Sequence, residues 1–456
     1  MDKYILLFIN KFNFLQFNLA EFLSICEMYN IKNLQYNSDT FSYDPSIEPY
    51  LRINFEGIDN IEICKNLIER AVLSKSIIKI ISEGETIEDA INNIKESSIK
   101  EEMNSDLSYK FDFDIRKSKI KKETQEKIII SLLSKYPFKG KVNLKNPERT
   151  ITIFQSYSQE GKIKKTIIGK QIYSKKNDES RYYTKYDLIH RKYLGPTSTD
   201  HILSFIMSNF AQVKKYQNII DPFVGTGSLL IPPSVFGANC FGCDLDIRVL
   251  KGYSVGYIRD NNDKTLFKHE GNIFSNFDEY NLIRPQIIRQ DINKFSFRNK
   301  NLLFDSIICD PPYGWRACSK KTGLSNFKKE KRVKRLDKRK KEKEDNEINN
   351  NEKNSDEEND NYDYVYYGKE KRLFLPTSHC EVDTIFDSLI KFSKDCLKKN
   401  GILCCLFPVR KNYDEEELVN MPINFPQDKA FKLIYCCENK NSKLRSRWCL
   451  VYKKIE

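Results

Sequence analysis

Four short apolar runs in the second half of the chain each stop at an aspartate. They are Asn218-Ile219-Ile220 before Asp221, residues 238–243 before Asp244, residues 285–290 before Asp291, and Phe304-Asp305-Ser306-Ile307-Ile308-Cys309 before Asp310. Runs this short and this rich in β-branched residues suit buried strands better than helices. Strands at these intervals predict a parallel sheet, and the four acids then share its carboxyl edge, where open α/β sheets bind ligands. The last two strands, expected at 430–437 and 446–453, form an antiparallel pair around a Lys/Asn/Ser loop and close a mostly parallel sheet.

The first of these strands runs into Asp221-Pro222-Phe223-Val224-Gly225-Thr226-Gly227-Ser228. A strand entering a G-x-G turn opens a nucleotide-binding unit, because glycines let a ligand approach the backbone closely. The third glycine of a dinucleotide fingerprint is missing: Leu230 stands there, which disfavours a pyrophosphate. An adenosine ligand without phosphate fits better, with Asp221 toward its amino-acid end and Gly225 and Gly227 alongside it. Asp244, about twenty residues past the glycines, suits a carboxylate that accepts ribose hydroxyls. Its alternative role as the cap of the next helix stays open. Asp291 is placed to accept an adenine amine.

Asp310-Pro311-Pro312-Tyr313-Gly314 constrains the chemistry. Two prolines cannot donate to a ladder and turn the chain rigidly, presenting the Asp310 carboxylate and the Pro311 carbonyl at the sheet edge. Two acceptors beside the Tyr313 ring suit a planar base with an exocyclic amine, held by its two N–H bonds and stacked on the aromatic face. The reaction this points to is amine alkylation. The plainer alternative is a Pro-Pro turn with a capping acid.

Residues 1–165 read as a mixed α+β region. Strands are expected near 4–9, 51–55, 76–81, 109–115 and 150–157, with helices near 18–28, 61–73, 86–94 and 123–133. No cluster there suggests catalysis. Lys139, Lys141 and Lys145 form a basic surface for RNA, against the alternative of an ordinary solvated face. Residues 166–190 read as a linker. Residues 319–361, first Lys/Arg-rich and then acidic and Asn-rich, read as a disordered insertion within a domain spanning 191–456.

Composition narrows the partners. The 76 Lys and Arg exceed the 63 Asp and Glu, for a formal charge of +13, and 25 Tyr with 29 Phe supply flat faces, a combination that points toward nucleic acid. The 13 cysteines form no spaced framework, so a reducing compartment is expected, the cytoplasm or the nucleus. Cys240 and Cys243 alone form a C-x-x-C, so no metal site is expected. No apolar run reaches the ~18 residues a membrane span requires.

With these residues in hand, the chain resembles the catalytic subunits of the tRNA guanosine-10 N2-methyltransferases. The likeness rests on Leu73-Ser74-Lys75-Ser76-Ile77 and residues 137–147 in a THUMP-type RNA-binding region, and on Arg191-Lys192-Tyr193-Leu194-Gly195-Pro196-Thr197-Ser198. Residues 221–230, Asp310-Pro311-Pro312-Tyr313-Gly314, Arg316 and Thr322-Gly323 complete it. It implies an α+β THUMP-type region followed by a Rossmann-like class I methyltransferase domain with a mostly parallel seven-stranded sheet. It also implies S-adenosylmethionine as donor, tRNA as substrate and a small zinc-binding activator as heterodimer partner. Thr197 and Ser198 then join Asp221, Phe223, Gly225, Gly227, Asp244 and Asp291 as donor-binding residues, and Asp310, Pro311, Pro312 and Tyr313 carry catalysis. Pro232-Pro233 departs from the family pattern, and a helix starting late, at Pro232, is expected. An adenine-N6 methyltransferase and a non-catalytic tRNA-binding subunit remain as alternatives.

Overall fold

The computed structural model describes residues 3–9, 12–37, 50–115, 120–158, 160, 162–175, 181–195, 198–252, 257–258, 271–294, 303–312, 320–322, 363–367, 370–374, 377–410, 425–442 and 445–456. They fall into two units, Met1–Thr184 with Cys437–Lys440, and Lys185–Cys436 with Asn441–Glu456.

The first unit is built on strands β1 (Tyr4–Phe8), β2 (Gln35–Asn37), β3 (Tyr50–Asn54), β4 (Ser74–Gly84), β5 (Tyr109–Asp114), β6 (Arg149–Tyr157) and β7 (Ile163–Ser174). They form a seven-stranded sheet in the order β2-β3-β1-β4-β7-β6-β5. The pairs run antiparallel except β5 with β6. Alternation along β1 sends Tyr4, Leu6 and Phe8 to one face, against Phe22 and Ile25 of α1 (Phe17–Met28) and Leu67 and Ile68 of α2 (Ile61–Arg70). Ile5 and Leu7 enter a second cluster with Ile78, Phe154 and Ile167. Each such fully buried aliphatic side chain contributes about 2 kcal/mol of apolar burial. Asn60 caps α2, and Thr86 with Asp89 forms a capping box on α3 (Ile87–Asn92), so both helices start where side chains satisfy their first amides.

Two differences from the sequence reading stand out here. β7 occupies residues 166–174 of the stretch 166–190 expected as a linker; three lysines interrupt its apolar residues, so no clean alternation marks it. Gly169 lies on this strand where an added Cβ would come within 2.5 Å of the Lys79 carbonyl oxygen of β4. A helix absent from the reading, α4 (Glu96–Asn104), packs Ile99 beside Ile91 and Leu132, the last on α5 (Lys122–Lys135).

The second unit contains β8 (Tyr193–Leu194), α6 (His201–Phe210), β9 (Asn218–Asp221), α7 (Ile231–Val235), β10 (Asn239–Asp244), α8 (Ile247–Lys251) and β11 (Tyr257–Ile258). Then come α9 (Ser275–Glu279), β12 (Gln286–Arg289), β13 (Phe304–Cys309), β14 (Lys320–Thr322), β15 (Asp363–Tyr367), β16 (Glu370–Phe374) and β17 (Thr377–His379). A helix over Val382–Cys396 leads into β18 (Leu397–Arg410), β19 (Phe431–Ser442) and β20 (Arg445–Lys454). The main sheet has seven strands in the order β12-β10-β9-β13-β18-β20-β19. β12, β10, β9, β13 and β18 are parallel, and β20 runs antiparallel to β18. The Ser306 hydroxyl donates to the Ala211 carbonyl just past α6 on one face, while Ile307 and Cys309 meet Phe386 and Leu389 of the 382–396 helix on the other. The sheet is therefore covered on both sides, as parallel sheets are.

The prolines after the glycine turn cause no break. A 3-10 turn, Ser228–Leu230, precedes α7, which starts at Ile231, one residue before the expected Pro232. Both prolines then sit in a first turn whose amides have no intrahelical partner anyway. The charged stretch 319–361 lies outside the described residues except Lys320–Thr322, which is not insertion but strand β14, paired with β17. Cys240 and Cys243 are three residues apart on β10 and so face opposite sides; burial pushes both thiols up to about 12. Among the described residues, no group of three or more His, Cys, Asp or Glu side chains is arranged to hold a metal ion. No described helix is long and apolar enough to cross a membrane.

Candidate active site

Sheet order reverses at β9, with β10 on one side and β13 on the other, so the crossovers leave in opposite directions and a crevice opens at the carboxyl ends. Asp221, Asp244 and Asp310 end or follow these three strands. Asp221 is 1% exposed, and burial, then the charges of Asp244 and Asp310, raise its carboxyl well above the usual range despite an amide bond from Phe223 at 2.9 Å. Burial lifts Asp244 to about 6, opposed by the amides of Asp246 at 2.8 Å on Oδ1 and Gly225 at 2.9 Å on Oδ2. It also lifts Asp310 to about 6, opposed by Arg447 and Thr199. Desolvated acids crowded at one edge favour a positively charged ligand.

The two oxygens of Asp310 differ. Oδ2 accepts from the Thr199 hydroxyl at 3.2 Å and from Arg447 Nη1 at 3.0 Å. Oδ1 is buried and has no hydrogen-bond partner among the described residues. Pro311 is buried and Pro312 half-buried immediately after it.

The glycine turn is shaped from beneath. Gly225 has φ 49° and Gly227 φ 85°, both left-handed. An added Cβ at Gly227 would lie 3.1 Å from Ile273 and Phe277, whereas at Gly225 the nearest atom is 3.9 Å away. Gly227 is thus closely packed as well as left-handed, and Gly225 leaves open space beside the backbone. Ser198 Oγ accepts from the Gly195 amide and bonds Thr226 Oγ1, both at 2.9 Å. Arg191, 1% exposed, donates through Nη1 to Ser228 Oγ at 2.7 Å and through Nε to the Tyr186 carbonyl at 3.2 Å. Burial lowers its guanidinium to about 10.

A family model described as the Tmrp11 THUMP N-terminal domain matches residues 2–177, and one described as the RMKL-like methyltransferase domain matches residues 189–332. The chain is a THUMP-bearing methyltransferase. It is 29% identical over 473 residues to the Bos taurus tRNA (guanine(10)-N(2))-methyltransferase TRMT11, covering 100% of this chain and 89% of that one. It is 27% identical over 465 residues to the Saccharomyces cerevisiae tRNA (guanine(10)-N(2))-methyltransferase, covering 99% and 93%. Among solved structures, TrmN from Thermus thermophilus matches 99% of both chains at 11% identity with a TM-score of 0.39.

In this methyltransferase the crevice brings together Asp221, Phe223, Gly225, Gly227, Asp244 and Asp310 with Pro311 and Pro312. Thr197 and Tyr313 lie outside the described residues. The cap of α8 is Asp246, not Asp244, which leaves Asp244 bonded to the glycine turn with further lone pairs available. Asp291 is committed to the protein: Oδ2 accepts from the Thr322 amide at 2.6 Å and hydroxyl at 2.7 Å, and Oδ1 from Asn293. These bonds overcome burial and hold its carboxyl below the usual range. Ser198 supports the glycine turn through both its contacts. Lys139, Lys141 and Lys145 belong to the first unit, on an exposed loop with Val142 and Leu144; Lys139 pairs with Asp106 at 3.0 Å. Sequence reasoning missed Arg191, Thr199 and Arg447 as site residues. The first two stand in or beside the Gly195-Pro196-Thr197-Ser198 stretch and were within reach; Arg447, 137 residues from Asp310, had no local signal.

Proposed function

We propose that this chain methylates the exocyclic N2 amine of guanosine 10 in tRNA, with S-adenosylmethionine as donor, as the catalytic subunit of a heterodimer. The observation that carries the reading is Asp310: a buried carboxylate at the switch point with one oxygen held by the protein and the other without a hydrogen-bond partner among the described residues, followed by a Pro-Pro turn. The names of the relatives support the substrate, and the family resemblance supports the small zinc-binding activator. The cysteines among the described residues, free and nearly all buried, suit a reducing compartment, the cytoplasm or nucleus.

The donor fits the residues present. Gly225 offers open space for close approach, Asp244 has acceptor capacity for ribose hydroxyls, and the acids favour its positive charge. Asp221 and Phe223 flank its amino-acid end, and Asp291 with Asn293 supports the adenine side. When bound, S-adenosylmethionine supplies the methyl group: the amine lone pair forms the N–C bond, the S–C pair stays on sulfur as a neutral thioether, and one amine proton is lost. Asp310 Oδ1 and the Pro311 carbonyl accept the two N–H bonds and favour a pyramidal nitrogen whose lone pair faces the methyl. Asp310 then takes the released proton and passes it to solvent. Tyr313 stacks on the base. Most of the acceleration comes from positioning and fixed charge. Lys139, Lys141 and Lys145 contact tRNA phosphates.

Mass spectrometry of the nucleosides formed on tRNA by the chain with its partner tests this. N2-methylguanosine is expected; N6-methyladenosine would establish the adenine alternative. Absence of donor binding at millimolar concentration would leave a tRNA-binding scaffold.

A further inference from the structure

We propose that Arg447, together with Thr199, is a positioning residue that divides the Asp310 carboxylate, committing Oδ2 to the protein and reserving Oδ1 for the substrate amine. This rests on the methyl-transfer reading above. Arg447 sits on β20, across β18 from the catalytic turn: Cys309 of β13 is in register with Cys405 of β18, and Pro408 of β18 with Arg447. The antiparallel strand inserted into an otherwise parallel sheet therefore delivers a cation to the carboxyl edge, where the parallel strands deliver acids. The pair is enclosed, with 17% of the Arg447 side chain and 14% of the Asp310 side chain exposed. Thr199 is 6% exposed and approaches the same oxygen from the segment before α6.

Two donors on one oxygen fix the rotation of the carboxylate, so the free oxygen has a defined direction before substrate arrives. They also fix its protonation. The groups facing Asp310 are Arg447 and Cys449 from β20, Asp221 from β9, Cys405 from β18, Cys309 from β13 and the Thr199 hydroxyl. Burial favours the neutral acid; Arg447 and Thr199 favour the carboxylate. A neutral Asp310 could donate a hydrogen bond through one oxygen, which an amine presenting two N–H bonds does not need. Arg447 thus sets the lowest pH at which the residue works as an acceptor.

The test is a pH–rate profile of methyl transfer to tRNA by the complex with its partner, for Arg447→Gln, Arg447→Lys and Thr199→Val. In Arg447→Gln the acid limb is expected to move up by about one pH unit or more, with turnover about threefold or more down near pH 6.5 and recovered at pH 8.5. Donor affinity and KM for tRNA stay near their original values, and Arg447→Lys restores the limb. A limb that does not move, or an equal loss at every pH, overturns the proposal. If Arg447→Gln fails to bind donor, Thr199→Val decides: a smaller upward move with unchanged donor affinity supports the assignment, and an unmoved limb overturns it. Asp310→Asn separates the two readings. Near-normal turnover there removes the methyl-transfer mechanism itself, whereas an inactive Asp310→Asn beside an unmoved Arg447→Gln profile removes only the role of Arg447.

Discussion

Both units are built on a seven-stranded sheet and both bury acidic side chains, yet two sets of these acids are treated in opposite ways. In the first unit Glu102 meets Arg149 at 3.0 Å and Lys170 at 2.6 Å, Asp114 meets Lys75 at 2.7 Å, and Glu21 accepts the amides of Val72 and Leu73 at 2.8 Å each. Glu83 is held below the usual range because Lys165 and Arg52 outweigh its burial. In the second unit Asp221, Asp244 and Asp310 are all raised. The first set is already satisfied by the fold; the second is left with unspent acceptor capacity. Topology explains the second set, since a parallel sheet gathers like strand ends at one rim, whereas in the first unit Glu21 on α1 and Glu102 on α4 find their partners on other elements.

The strongest way to break this comparison is Asp310→Asn. Methyl transfer is expected to fall by about 10²–10³-fold, while the melting temperature at pH 7.5 is unchanged or higher, because an ionised buried acid has been removed. Comparable turnover, or a clear loss of stability, would place Asp310 with the structural acids. Next in size is Glu102→Gln, which leaves Arg149 buried beside a neutral partner. It should cost about 3 kcal/mol, read by urea unfolding followed in the first unit, with donor affinity unchanged.

The pH dependence of the two sets should then diverge. Asp244 and Asp310 have folded values of about 6, above the ordinary carboxylate range, so the stability they contribute is present below about pH 4 and lost as pH rises through 6. Glu83 has the opposite sign, contributing above its unfolded value and losing that as pH falls. Hydrogen exchange at pH 5.5 and 7.5 should show the second unit relatively more protected at the lower pH, whereas donor titrations should weaken below about 6 as Asp244 becomes neutral. The smallest effect sharpens the glycine turn: Gly227→Ala should destabilise by about 1–2 kcal/mol, and Gly225→Ala should instead weaken donor binding with a smaller loss of stability. Isothermal titration beside thermal melts separates them.

The strand-end acids were legible because each closes a short apolar run, whereas the spatial order of the strands was not. β13 begins and ends where its residues indicate. β7 was not legible, since lysines and Gly169 interrupt its apolar residues and its place depends on β4 and β6 on either side. Within the site, the carboxylates could be found one by one, but not which oxygen each has free. That information lies in Thr199 and Arg447, which come from distant segments. Asp291 shows the same limit from the other side: nothing near it in sequence indicates that Thr322 occupies it.

The Asp291–Thr322 contact also governs what the enzyme can tolerate. Thr322 ends β14, and its partner strand β17 returns the chain to the 382–396 helix, so whatever lies between them begins and ends on one short ladder tied to the catalytic sheet. β14 and β17 form a two-stranded sheet of their own, separate from the strands that end at Asp221, Asp244 and Asp310.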